Sequence, residues 1–276
     1  MKPAAFDYLR PADLDEALTA LNENGTDAKV MAGGQSLMPM LNMRLLSPAV
    51  IVDISDLGAL DSIKASNGHI AIGAATTQAA LGEWSELAAK SPLLAKALPN
   101  IGHFQTRNRG TVCGSLAHSD PSSELPLCLA TLGGEVVLQS RAGSRTVAAA
   151  DFQTDMLTTD CGPQEMVVAA RFPVAVPGAG YAFAEIARRH GDFAIVALAA
   201  MVTGDTVRLG VGGVADTPQV REWQGVSGDA LDDALNAFAW EMGGGDDVHA
   251  TARYRREIVR RIGRKVITEA GDAADR

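Results

Sequence analysis

Apolar residues recur along this chain at two spacings, helical and unbroken, and the first clear case is helical. Leu14, Ala17, Leu18 and Leu21 fall at i, i+3, i+4 and i+7, so a helix over residues 13–24 presents them on one face. Asp13 and Glu16 have capping-box spacing, and Gly25 suits the stop. The apolar run 28–32 predicts a strand leading into Gly33-Gly34-Gln35-Ser36 and then LMPMLNMR. No Gly-Lys-Ser/Thr follows, so this is not a P-loop, and Pro39 argues against a helix interior. Met38, Met40 and Met43 read as core filling. Residues 49–54 predict a buried strand, and SIKAS and HIAIG around Asn67-Gly68 predict a type I′ hairpin. Thr76-Thr77 opens a short helix through Glu83. Ser91-Pro92 opens another, carrying Leu93, Leu94, Ala97 and Leu98, with Pro99 beyond it. Residues 135–140 with 145–148 predict a second hairpin, and 165–172 a further strand.

Two prolines and a glycine in 173–178 directly follow that strand and mark a linker, which sets the domain boundary there. Beyond it, 181–188, 193–203 and 206–214 read as strands, with Gly204-Asp205 as a hairpin turn. Residues 231–240 and 250–269 read as helices. The last carries Tyr254, Ile258, Ile262 and Val266 as an apolar stripe. Arg253, Arg255, Arg256, Arg260, Arg261, Arg264 and Lys265 crowd the rest, as a solvated face or a surface for an acidic partner. LGVGGVAD at 209–216 imitates a dinucleotide-binding glycine loop, but Pro218 forbids the helix that such a loop needs, so it reads as strand and turn.

Composition narrows the classes. The chain has 276 residues, enough for two domains, with 47% hydrophobic and 21% charged residues, as in ordinary globular proteins. A formal net charge of -9 argues against nucleic-acid binding. No apolar run approaches the ~20 residues of a membrane span, and the Met1 end lacks a signal-peptide core, so the expected location is cytoplasmic. Three cysteines (Cys113, Cys128, Cys161) without CxxC spacing and five scattered histidines predict no metal site and no iron–sulfur centre in this chain.

The chemistry concentrates in RNRGTVCGSLAHSDPSSELP, residues 107–126. Its small and turn-forming residues argue against a helix interior. Successive amides around Gly110, Thr111, Cys113, Gly114 and Ser115 could cradle a phosphate, or the segment could be a plain glycine-rich loop. His103 and His118 bracket it, either as structural histidines or as groups that tune a cofactor. No nucleophile–base or paired-carboxylate spacing stands out, so hydrolase readings have nothing to rest on.

Taken together, AGGQSLMPMLNMR (32–44) and the 107–126 stretch resemble the two signature loops of one family. It is the FAD-binding medium subunits of molybdenum hydroxylases, the carbon-monoxide-dehydrogenase and xanthine-dehydrogenase group. ARRHGDFAIV (187–196), GGVADTP (212–218) and ARYRREIVRRI (252–262) resemble that family's C-terminal domain, so the resemblance runs in order through nearly the whole chain. It implies an α+β fold: a two-part FAD-binding domain of the vanillyl-alcohol-oxidase (PCMH) type over 1–173, split near 55. A smaller α/β domain over 178–276 follows.

By motif match, Lys29, Val30, Met31, Ala32, Gly33, Gly34, Gln35 and Ser36 form one FAD-holding loop, and Thr111, Val112, Cys113, Gly114 and Ser115 the other. Ile101 packs against the cofactor, Glu124 lies near it, and Asp192 and Phe193 lie near the isoalloxazine. Cys113 stands where the family usually has glycine; binding survives if that position does not need a positive φ. The resemblance further implies an oxidoreductase subunit with no catalytic residue of its own, passing electrons to a terminal acceptor. Those electrons come from two [2Fe–2S] clusters in a small partner, and a large partner carries the molybdenum cofactor. The implied assembly is a dimer of heterotrimers. A self-sufficient FAD oxidase or dehydrogenase, with His103 or His118 as base, and a flavin-binding interaction module are the other readings.

Overall fold

The computed structural model describes residues 2–274. Its first sheet is small and parallel. Strand β1 (Asp7–Leu9) is followed by helix α1 (Leu14–Asn24), β2 (Ala28–Met31), helix α2 (Leu37–Asn42) and β3 (Val50–Asp53), and the strands pair in the order β1-β3-β2. The predicted first helix is present with its cap. Asp13 accepts from the Glu16 N–H, and Glu16 accepts from that of Ala12. Ala17, Leu18 and Leu21 are its buried face. Pro39, however, lies within α2. It is the third helical residue, where an N–H has no intrahelical acceptor in any case, so the ring removes nothing.

The second sheet is antiparallel. Strand β4 (Ile63–Ser66) turns into β5 (His69–Gly73) through Asn67 and Gly68, both at positive φ (49° and 77°) as a type I′ turn requires. A helical stretch follows: α3 (Gln78–Glu83), α4 (Leu87–Lys90), α5 (Pro92–Ala97), α6 (Phe104–Arg107), α7 (Val112–His118) and α8 (Glu124–Leu132). Strands β6 (Glu135–Ser140) and β7 (Gly143–Ala148) form the second hairpin. Helix α9 (Ala149–Phe152) and the short pair β8 (Gln153–Asp155) and β9 (Thr158–Thr159) lead to β10 (Met166–Pro173). The sheet order is β4-β5-β10-β6-β7. The stretch 107–126 is thus not a loop throughout: it contains α7 and opens α8. Pro126 is the third residue of α8, tolerated for the same reason as Pro39.

The last part is a meander of β11 (Ala179–Ile186), β12 (Val196–Thr203), β13 (Thr206–Gly212) and β14 (Gln219–Gln224), followed by α10 (Gly228–Glu241) and α11 (Ala252–Ala274). Both faces of this sheet are covered. Val196, Leu198, Ala200 and Val202 join the core beneath α10 and α11, while Ala197 and Ala199 join the core of the first 173 residues. Small residues let α8 lie close: a Cβ on Gly210 would sit 2.0 Å from Thr131 Oγ1 and 2.9 Å from Leu127 Cδ1. The proline-containing connection is pinned as well, with the Val174 and Ala175 amides donating to Gly68 and Lys90 carbonyls at 2.9 and 2.7 Å.

On α11 the buried face is Arg255, Val259, Gly263, Val266, Ile267 and Ala270. The expected stripe is off by about one residue, and Tyr254 is exposed. Arg255 is buried because its guanidinium donates to the carbonyls of Gly245 and Ala250 and to Asp247, at 2.6, 3.0 and 2.6 Å. It therefore fastens the 243–251 loop to the helix and is no part of a solvated basic face.

Candidate functional site

The two glycine segments meet backbone to backbone. Residues 32–36 leave the end of β2, and 108–111 join α6 to α7; a Cβ on Gly33 would lie 2.1 Å from the Arg109 carbonyl oxygen. The second segment is also held from the connection between β5 and α3: the Gln78 N–H donates to Gly110 O at 2.8 Å and the Val112 N–H to Thr76 O at 3.2 Å. Thr111 caps α7, its hydroxyl accepting from the Gly114 N–H at 3.0 Å. A Cβ at 114 would come within 2.7 Å of that oxygen, which is why glycine serves inside this helix.

Between these segments lies a cleft of about 610 Å³, within the range of sites that enclose a ligand. Its wall contains every residue chosen from the sequence except Val112, which is fully buried on the core side of α7. Ile101, Asp192 and Phe193 come to the same cleft from α5–α6 and from the β11–β12 turn. Among the wall residues not chosen from the sequence are Leu157, Cys161, Glu165, Met166 and Val167. They arrive from the β8–β9 pair and the start of β10. Ser119 accepts a hydrogen bond from Gln153 at 2.9 Å and donates one to Thr158 O at 3.1 Å, and this network sets that pair against α7.

Among the described residues, the amides of Gly33, Gly34, Gln35 and Ser36 donate to no protein acceptor. Such a run of free N–H groups forms an anion-binding concavity. Gln78 Oε1, also on the wall, is buried without a partner and can accept from a ligand N–H or O–H. Ile54, Ile101, Met166 and Val167 supply apolar wall. A phosphate-bearing cofactor with a large ring system fits this donor set.

Cys113 is not among the residues at positive φ; it is the second residue of α7, so a side chain is tolerated where glycine was expected. Its thiol donates to Ile72 O at 3.4 Å, and burial pushes its pKa up to about 12, leaving it unreactive at neutral pH. Replacement of Cys113 by glycine should leave FAD content per chain unchanged and lower stability by about 1 to 2 kcal/mol, because it removes a buried side chain from the core. Flavin absorbance and urea unfolding check the two halves.

The acids differ. Arg145 bonds the Glu165 carboxylate and holds its pKa down. Arg189 does the same for Asp192. Glu124, the first residue of α8, is pushed up to about 7 by burial and, secondarily, by Asp120. Glu185 of β11 is pushed up to about 8 by burial and by Glu124. His118 lines the cleft, while His103 lies beside the β11–β12 turn, its Cε1 2.8 Å from where a Gly191 Cβ would be.

A parallel sheet and an antiparallel sheet meeting at two glycine segments, with a covered meander behind, define a dinucleotide-cofactor protein. Residues 4–175 match the FAD-binding domain in molybdopterin dehydrogenase, and residues 181–270 the CO dehydrogenase flavoprotein C-terminal domain. The chain is 35% identical to the alpha subunit of the 6-hydroxypseudooxynicotine dehydrogenase complex of Paenarthrobacter nicotinovorans, over 98% of this chain and 96% of the relative. It is 37% identical to the carbon monoxide dehydrogenase medium chain of Afipia carboxidovorans, over 84% and 83%. Its fold superposes on a chain of reconstituted CO dehydrogenase from Oligotropha carboxidovorans with a TM-score of 0.94 and 33% identity, covering 99% of this chain and all of that one. The chain belongs to the FAD-binding medium subunits of the molybdenum hydroxylase family, and is an α+β oxidoreductase flavoprotein subunit.

Proposed function

We propose that this chain is the electron-relay subunit of a molybdenum hydroxylase complex. The observation that carries the reading is the run of unpaired amides at Gly33 to Ser36, packed against the second glycine segment in one cleft. These amides, with the capped α7 segment from Thr111 to Ser115, would bind the pyrophosphate of FAD through backbone donors. Ile101 and the apolar wall would exclude water from the ring system, and Glu124 and Gln78 would give it polar partners. Asp192 and Phe193 would border the isoalloxazine at the rim. Bound FAD supplies the exchange between one-electron and two-electron carriers, and the protein fixes its place and surroundings.

In this reading the electrons come from two [2Fe–2S] clusters of a small partner subunit. The molybdenum cofactor resides in a large partner subunit, and the three chains form a dimer of heterotrimers in the cytoplasm. No described helix is long and apolar enough to cross a membrane. The test is reconstitution. The purified chain should carry one FAD, turn over no organic substrate alone, and have its flavin bleached by substrate only when both partners are added. Brisk turnover by the isolated chain would establish the self-sufficient oxidase instead.

A further inference from the structure

Glu185 does not line the cofactor cleft, yet it is where two acids meet behind it. Strand β11 alternates: Ala182 faces the core beneath α11, whereas Tyr181 belongs to the first core and Phe183 packs against it. Glu185 continues the odd-numbered series, toward the FAD-binding half. Glu185, Ala197 and Gly212 stand side by side across β11, β12 and β13, and a Cβ on Gly212 would lie 3.2 Å from Pro121 O and 3.5 Å from Leu127 Cδ2, so this row runs beneath the start of α8. There the Glu185 carboxyl meets that of Glu124, which is buried and lines the cleft. Glu185 Oε2 is buried and receives no hydrogen bond.

The charges acting on Glu124 and Glu185 are Asp120 and each other, all acidic. Across β11, β12 sets Ala197 opposite Glu185. On β13, Arg208 is taken up by Glu222 of β14 and by the Thr131 carbonyl at the far end of α8. His118 of α7 and Lys29 of β2 stand on the cleft wall. Two carboxylates in contact without a cation cannot both stay ionised, and one shared proton resolves the conflict by making one the donor and the other the acceptor.

We propose that Glu185 is a positioning residue for the cofactor site: with Glu124 it forms a single acid pair that keeps one proton, so that Glu124 faces the cleft as half of a hydrogen-bonded pair rather than as a lone carboxylate. The proposal rests on reading the cleft as the FAD site. Both carboxyls are raised above their unfolded value, so the folded pair binds protons that the unfolded chain has released. Its contribution is present below the ordinary carboxylate range and is lost as pH climbs toward about 8. Above that the pair carries a second negative charge and repels the cofactor phosphates.

The test uses the full chain as wild type, E185Q and Glu185→Asp. Infrared difference spectra with hydrogen–deuterium exchange at pH 7.5 should show a buried protonated carboxyl in wild type and Glu185→Asp but not in E185Q. FAD affinity should weaken about tenfold, the weight of one pKa unit, between pH 6.5 and 8.5 in wild type and Glu185→Asp, and less than about twofold in E185Q. A merely structural role would shift affinity equally at both pH values, and parallel wild-type and E185Q profiles would overturn the proposal. So would a wild-type chain without the carboxyl band. A chain that shows the band but binds no FAD would instead overturn the reading of the cleft and leave the acid pair standing.

Discussion

Alanine at Gly33 is expected to leave the chain without FAD. The added methyl carbon would lie 2.1 Å from the Arg109 carbonyl oxygen, 2.7 Å from its carbon and 2.8 Å from the Gly110 Cα, and all three are backbone atoms. Ordinary contact begins at 3.4 Å, so the two segments must separate by more than an ångström. The second segment cannot give, being bonded to Thr76 and Gln78 and capped by Thr111. The first must therefore move, and with it the amides of Gly33 to Ser36. Losing two charge-assisted hydrogen bonds costs about 3 to 5 kcal/mol, which lowers FAD affinity by a factor of about 100 or more. Gly34→Ala is the control. Gly34 has φ 67°, but a Cβ there meets only side chains of Met38 and Met31, at 3.3 Å and beyond. Strain of about 1 kcal/mol should follow, with flavin retained. Equilibrium dialysis of FAD against both variants decides it: equal affinities would mean that the contact between the segments does not shape the site.

That contact also marks how far the sequence could be read. Each glycine segment was visible as a cluster of small residues, and the family resemblance joined them, but nothing local says that Gly33 touches Arg109. The 107–126 stretch was misjudged because glycine and serine count against a helix by propensity. In place, Thr111 caps α7, and the missing Cβ of Gly114 makes room for the cap. Proline was misjudged at 39 because its penalty applies beyond the first turn. Cleft residues such as Cys161 and Glu165 carry no motif; they are brought in by the Ser119–Gln153 network and the strand order of the second sheet. Glu185 was invisible for the same reason, since its significance lies in an acid some sixty positions earlier in the chain.

The stripe on α11 failed differently, and the failure predicts the second large effect. Counting isoleucines placed the buried face at Tyr254, Ile258, Ile262 and Val266, whereas the buried residues are Arg255, Val259, Gly263, Val266, Ile267 and Ala270, and only Val266 is common to both. Apolar size is the wrong signal where a helix approaches a sheet this closely. A Cβ on Gly180 of β11 would stand 1.8 Å from the Ala270 carbonyl oxygen and 2.5 Å from the Ala274 nitrogen, inside the helix backbone. Gly180→Ala must push the last turns of α11 away from the sheet and loosen the packing of Val266, Ile267 and Ala270. Overpacking of that kind costs about 3 kcal/mol. Thermal unfolding should shift down by roughly 8 °C for a chain this long. FAD affinity should hold, because α11 covers the sheet face opposite α8 and the cleft. Gly271→Ala, beside Ala270 but with nothing within 4 Å of its added carbon, should instead stabilise by about 0.5 to 1 kcal/mol by removing a helix-interior glycine. Opposite signs at these two glycines follow from the helix–sheet approach alone, and equal signs would mean that α11 does not lie against β11 this closely.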